Sequence, residues 1–172
     1  MIRLASNKDL AAIENIYDRI HAMEQAGHYT TGWLKGIYPT AQTAQAAIDA
    51  GTMYVYEDAG VILAAGKIDQ DQPDSYAQIS WSMELSGNQV LVFHTLVVHP
   101  DHSGQGIAQR FIAFYEETAR NIGCKSLRID TNARNLRARK LYQHLGYSER
   151  GIVPCQFNGI EGVQLVCLEK LL

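Results

Sequence analysis

Cysteine is scarce in this chain, and its three copies, Cys124, Cys155 and Cys167, stand too far apart to form a zinc or redox spacing. They read as small core hydrophobes. The histidines His21, His28, His99, His102 and His144 show no metal-ligand spacing either, so they read as surface or structural side chains and no metal is expected. Long apolar runs are missing: none approaches the roughly twenty residues a membrane helix needs. The N-terminus lacks the charged and apolar regions of a signal peptide, so the expectation is a cytoplasmic protein with no membrane partner. Positive charge is absent between Lys67 and Arg110, and the formal net charge is −3, which argues against a nucleic-acid binder. No G-x-x-x-x-G-K-[ST] occurs, and no G-x-G-x-x-G with an acidic residue about twenty positions on, which excludes a P-loop and a dinucleotide fingerprint. There is no internal repeat and no low-complexity segment.

What remains is the composition of an ordinary globular protein, 47% hydrophobic and 19% charged. Its 172 residues fit one domain with a sizeable core, residues 1–172. Charge is unevenly placed. Asp69, Asp71, Asp74, Glu84 and Asp101 fill the stretch that lacks cations, while Arg134, Arg137, Arg139 and Lys140 crowd together downstream. One half suits a cationic substrate and the other a polyanionic ligand.

Ile2–Leu4 reads as a short strand. Ser6 and Asp9 approximate a capping box, and Leu10, Ile13, Ile16, Tyr17 and Ile20 recur at helical spacing, which predicts a helix over about 7–25. An irregular, aromatic stretch follows from Gly27 to Pro39; bulky rings in a loop of this size usually pack on something, often a ligand. A second helix spans Thr40–Ala50, and two strands, 53–57 and 61–68, meet at Asp58-Ala59-Gly60, a hairpin signal. The polar segment from Asp69 to Asn88 has room for one helical turn. Later, 126–131 reads as a strand and Asn135 opens a helix with Leu136, Leu141 and Leu145 inward. Two closing strands, 147–156 and 162–168, turn at Phe157-Asn158-Gly159. A strand, a crossover helix and another strand imply parallel pairing, so the class is α/β: a mixed sheet with helices on both faces.

The centre of the chain is 90–110. Val90 to Val98 is nearly continuously apolar and β-branched and is closed at Pro100, as a strand covered on both faces should be. Ile107, Phe111, Ile112, Tyr115, Ala119 and Ile122 then mark a helix, placed from near Gly104 to a C-cap at Gly123. The first amides of a helix have no intrahelical partner and sit at the positive end of the dipole, and Gly104 and Gly106 carry no side chain to hold an anion away. Such a turn is either a phosphate cradle or a plain βα connection.

Leu96-x-Val98-x-Pro100-x-x-Ser103-Gly104-x-Gly106-Ile107-Ala108 resembles the acetyl-CoA motif of the GNAT (Gcn5-related) N-acetyltransferases. Asn132-x-x-Asn135-x-x-Ala138-x-x-Leu141-Tyr142-x-x-Leu145-Gly146-Tyr147 resembles that family's later block, and the likeness covers nearly the whole chain. One departure is Ser103, where the family usually has Arg or Gln. The resemblance implies the GNAT acyltransferase fold, acetyl-CoA as cofactor and an amine acceptor. It also implies that the pantetheine pairs with backbone at Leu96, Val97 and Val98. The pyrophosphate would lie on Gly104, Gln105, Gly106, Ile107, Ala108 and Gln109, with further contacts at Asn135 and Ala138.

Acetyl transfer to nitrogen needs a deprotonated amine, and a lysine-like amine of pKa about 10.4 is protonated at neutral pH. His94, on the central strand just before the thioester contact, is the candidate base; it is otherwise a satisfied strand histidine, with Glu84 or an ordered water as competitors. Tyr142 matches the family tyrosine that protonates the leaving thiolate, or is a core aromatic. Asn135 is a helix N-cap, a cofactor contact, or both. Arg134, Arg137, Arg139 and Lys140 reach CoA phosphates or form a solvated face, and Trp33, Tyr38 and Phe157 bound the acceptor pocket or pack the core. With no cysteine in either motif, direct attack in a ternary complex on a small-molecule or peptide amine is expected. The alternatives are a silent CoA-binding module or a longer acyl-CoA. The family also suggests a homodimer.

Overall fold

A computed structural model describes residues 1–172. The elements are β1 (Ile2–Leu4), α1 (Leu10–Gln25), α2 (Ala41–Asp49), β2 (Met53–Asp58), β3 (Val61–Asp69), β4 (Val90–Val98), α3 (Ile107–Asn121), β5 (Ser126–Asn132), α4 (Leu136–His144), β6 (Ser148–Phe157) and β7 (Ile160–Leu171). One seven-stranded sheet runs β1-β2-β3-β4-β5-β7-β6, antiparallel except for β4 and β5. This is the mixed sheet expected from the order of the elements. No helix is long and apolar enough to cross a membrane.

Alternation along β4 divides the core. Leu91 and Phe93 face α3 and α4, where they pack with Phe111, Ile112, Tyr115 and Leu127. Val90 and Val92 face the other way, towards Tyr76, Leu165 and Cys167. Further along that second face, α1 and α2 pack Ile13, Ile16, Ala44 and Ala47 on Val55 and Val97. Both faces of the strand are therefore covered, which is why it reads as one apolar run. Gly66 on β3 is needed for this packing, because a Cβ there would lie 2.3 Å from the Phe93 ring.

Several boundaries differ from expectation. The central strand ends at Val98, a single 3-10 turn fills Pro100–His102, and α3 begins only at Ile107. Gly104 and Gly106 have φ of +82° and +75°, a left-handed backbone that cannot belong to a right-handed helix. Ile122 lies past the end of α3 and is exposed. Leu136 is exposed as well: α4 turns Ala138, Leu141, Tyr142 and Leu145 to the core, and Leu136 falls on the opposite side of that stripe. The segment between β3 and β4 holds two 3-10 turns and is tied down on β5, β6 and β7. The Tyr76 hydroxyl donates to Asp130 at 2.7 Å, Ser82 N–H donates to Glu169 at 2.9 Å, and Trp81 lies on the Arg128 guanidinium at 3.9 Å.

Candidate active site

Strands β4 and β5 pair over only four residues each, Val90↔Ser126 to Phe93↔Ile129. Beyond that point β4 pairs with β3 alone and β5 with β7 alone, so two backbone edges face an open fork. The cause lies in β4. Between the pairs Lys67↔His94 and Ala65↔Val97, β4 carries one residue more than β3, and Thr95 takes a φ of +53°. Such a bulge bends its strand and ends pairing on one side.

A cavity of ≈ 1020 Å³ occupies this fork. On one side it is lined by Leu96, Val97 and Val98, then by Ser103, Gly104 and Gly106, and by Ile107, Ala108 and Gln109 at the start of α3. Gly106 caps that helix, and Arg110 N–H is the first to reach back, to Gly106 O at 3.1 Å. The amides of Ile107, Ala108 and Gln109 therefore lack intrahelical partners. A Cβ on Gly104 or Gly106 would meet no protein atom within 4 Å, so the space over the turn is open to a ligand. Gln105, expected among the cradle residues, is exposed and lies outside the cavity lining.

α4 forms the other wall of the cradle. The Asn135 side chain caps the helix, accepting from Ala138 N–H at 3.3 Å, and both residues line the cavity. Arg137 donates from Nη2 to Ser103 Oγ, which brings a guanidinium to the one motif position where the family's usual Arg or Gln is missing. Its neighbours are engaged elsewhere. Arg139 makes a two-pronged ion pair with Glu149 at 2.7 and 2.9 Å, and Arg134 lies 3.7 Å from Glu24. Lys140 is exposed and outside the lining.

Tyr142 lines the same cavity while 6% exposed, and its hydroxyl has no protein hydrogen-bond partner. Burial, and then the charge of Asp130, push its pKa well above that of an ordinary phenol, so it holds its proton at neutral pH. His94 occupies the fork from β4, with Nε2 3.0 Å from Asp69 Oδ1. Asp69 also pairs with Lys67 Nζ at 2.7 Å. Burial raises the Asp69 carboxyl, but His94 and Lys67 outweigh it and hold the pKa below its ordinary value. An ionised carboxylate can only accept, so Nε2 carries the hydrogen and Nδ1 keeps its lone pair.

The aromatic loop folds over the fork, placing Trp33 and Tyr38 in the lining, with their rings 6.0 Å apart and edge-on. The Tyr38 hydroxyl bonds Thr95 Oγ1 at the bulge. Burial raises the Tyr38 pKa to about 12, against the opposing bond to Thr95. The loop seats tightly on β5: Gly32 has φ +75°, and a Cβ there would stand 2.4 Å from Asn132 Nδ2. Phe157 lines the far wall. Glu84, weighed as a base, is exposed and outside the lining. The ties at Trp81 and Ser82 hold the preceding residues on the sheet, and the chain then runs out to solvent.

Sequence reasoning missed Asp69 as the partner of His94 and Asp130 as a cavity residue. The signal available for Asp130 was a lone carboxylate following the apolar Ile129 in a buried strand. None existed for Asp69, which meets His94 only through the β3–β4 register.

The acetyltransferase (GNAT) family model matches residues 13–147. The chain belongs to the GNAT family. It is similar to the L-amino acid N-acyltransferase MnaT of Escherichia coli K12, 27% identical over 158 residues, covering 89% of this chain and 82% of the relative. A GNAT acetyltransferase structure from Streptococcus agalactiae has a TM-score of 0.81 at 21% identity over 100% of this chain and 95% of that one. yncA of Salmonella typhimurium, whose structure holds its cofactor acetyl-CoA, has a TM-score of 0.70 at 18% identity over 99% and 92%. As a GNAT member the chain is an acetyl-CoA-dependent N-acetyltransferase. The fork fits that cofactor: free strand edges suit an amide-bearing arm, and an open, glycine-floored helix start suits a pyrophosphate.

Proposed function

We propose that the enzyme acetylates the primary amine of a small molecule or peptide by direct attack in a ternary complex. The observation that carries this reading is that one cavity holds an anion cradle, a hydrogen-bonded histidine and a buried, unpartnered phenol. When bound, acetyl-CoA supplies an activated acyl carbon with a thiolate as its leaving group. The β4 edge at Leu96–Val98 would hold the pantetheine, the amides of Ile107, Ala108 and Gln109 would hold the pyrophosphate, and Arg137 would add the cation that Ser103 does not. His94 Nδ1 takes a proton from the acceptor ammonium, while Asp69 keeps the ring in the tautomer that can do so and stabilises the imidazolium. Tyr142 holds the proton that the leaving sulfur requires. Burial, and then the charge of Asp130, keep that proton on the phenol at neutral pH until the sulfur departs. None of the three cysteines lines the cavity, which supports direct attack over a covalent acetyl-enzyme.

Thiol release from acetyl-CoA, followed against polyamines, amino acids, aminoglycosides and peptides, tests this. Release that needs an acceptor and falls about tenfold or more in Tyr142→Phe is expected, within the 10²–10⁴ typical of acid–base catalysis. Undiminished acceptor-dependent release in that variant removes Tyr142 from the chemistry.

A further inference from the structure

We propose that Asp130 receives the ammonium group of the acceptor, and that this acceptor is a singly charged amine with an apolar body, of the arylalkylamine or alkylamine class, carrying no carboxylate. The inference rests on the acetyl-transfer reading above and specifies its substrate.

Asp130 is the first residue of β5 beyond the last β4–β5 pair, as His94 is the first of β4. In parallel register the two stand side by side at the mouth of the fork, on the face away from Phe93 and Ile129. The Asp130 side chain lines the cavity. Its Oδ2 accepts from the Tyr76 hydroxyl at 2.7 Å, while Oδ1 has no partner within the protein. Apart from His94, the groups that sense its charge are phenols and thiols, and burial pushes the carboxyl above its ordinary pKa against the pull of Tyr76 and His94. A carboxylate so placed has no lysine or arginine paired with it, and an ammonium bound there lies beside the imidazole that takes its proton.

The rest of the lining disfavours an acceptor carboxylate by its charge. The cavity contains one lysine and one arginine. Lys67 is held by Asp69 at 2.7 Å, and Arg137 stands beside Ser103 at the cofactor turn. With Asp69 paired to Lys67, Asp71 and Asp130 leave the lining a negative balance, so an α-carboxylate would enter it with no free lysine or arginine to meet it. An apolar part of the lining is formed by Trp33, Tyr38, Phe157, Ile160, Val163 and Leu165. The name of MnaT assigns that relative to L-amino acids, and this cavity has the charge pattern for amines that lack the carboxyl group.

The test uses matched pairs: phenethylamine against phenylalanine, and pentylamine against norleucine. Turnover is read by thiol release, and binding to the protein–CoA complex by calorimetry. The amine of each pair is expected to win by about 30-fold or more in kcat/KM, since like charges brought together cost several kcal/mol. Asp130→Asn keeps an acceptor for Tyr76. It should weaken amine binding and raise the amine KM about tenfold or more, change kcat less, and narrow the preference over the amino acid. CoA binding by the same variant reports on its fold. Preference for the amino acids, amine binding indifferent to Asp130→Asn, or amines that neither bind nor react overturns the proposal. Amines that bind in an Asp130-dependent way without releasing thiol uphold the Asp130 site and refute the acetyl-transfer reading.

Discussion

The four-residue pairing of β4 with β5 is held from one side by the Tyr115 hydroxyl, and removing that hydroxyl should loosen the base of the fork. Tyr115 is 0% exposed on α3. Its hydroxyl donates to Leu91 O at 2.6 Å on β4 and accepts from Arg128 N–H at 3.1 Å on β5, so one oxygen bridges both strands. Tyr115→Phe keeps the ring, which packs on Phe93 at 5.1 Å between centroids, and deletes both bonds at a fully buried position. At about 1–2 kcal/mol for each bond lost in a fully buried setting, the loss is about 2–4 kcal/mol. For a chain of this size that corresponds to a fall in Tm of roughly 5–15 °C. Thermal unfolding followed by far-UV circular dichroism reads this directly, and the acetyl-CoA KM should rise with it as the fork loses definition. A Tm within about 2 °C of wild type would refute the assignment of Tyr115 as the tie between the strands.

Two further outcomes follow from the geometry. Arg137→Ala should raise the acetyl-CoA KM about three- to tenfold while kcat changes little, with Arg137→Lys intermediate, because the contact is charge-assisted but solvent-exposed; initial-rate kinetics with varied acetyl-CoA check this. Asp9 is held at a pKa of about 2, first by the Arg3 guanidinium at 2.8 and 2.9 Å, against the opposing effect of burial. Since the folded value lies below the unfolded one of about 3.9, its contribution is complete above pH ~4 and is lost as pH falls towards 2. Urea unfolding from pH 5 to pH 2 should show that decline in wild type and a shallower one in Asp9→Asn.

Much of the cavity lining was legible in sequence because it is local. The glycine turn, the apolar β4 run and the Asn135–Tyr142 block each act within one element and its neighbour, and a period or spacing suffices to read them. Glu84 failed as a candidate because nothing local says which way a polar loop turns once Trp81 and Ser82 are fixed to distant strands. The start of α3 was placed too early for a different reason: two consecutive-but-one glycines look like a helix entrance, yet both adopt φ values that forbid a helix.

Hydrophobic period, turn residues and contiguous motifs were enough to give the mixed α/β class, the order of the elements and the family. The folded sheet was needed to bring Asp69 to His94, Arg137 to Ser103, and Asp130 into the cavity lining. Each of these contacts joins residues 25 or more positions apart, or turns on a bulge that moves a strand edge, and register of that kind is set by packing across the whole sheet.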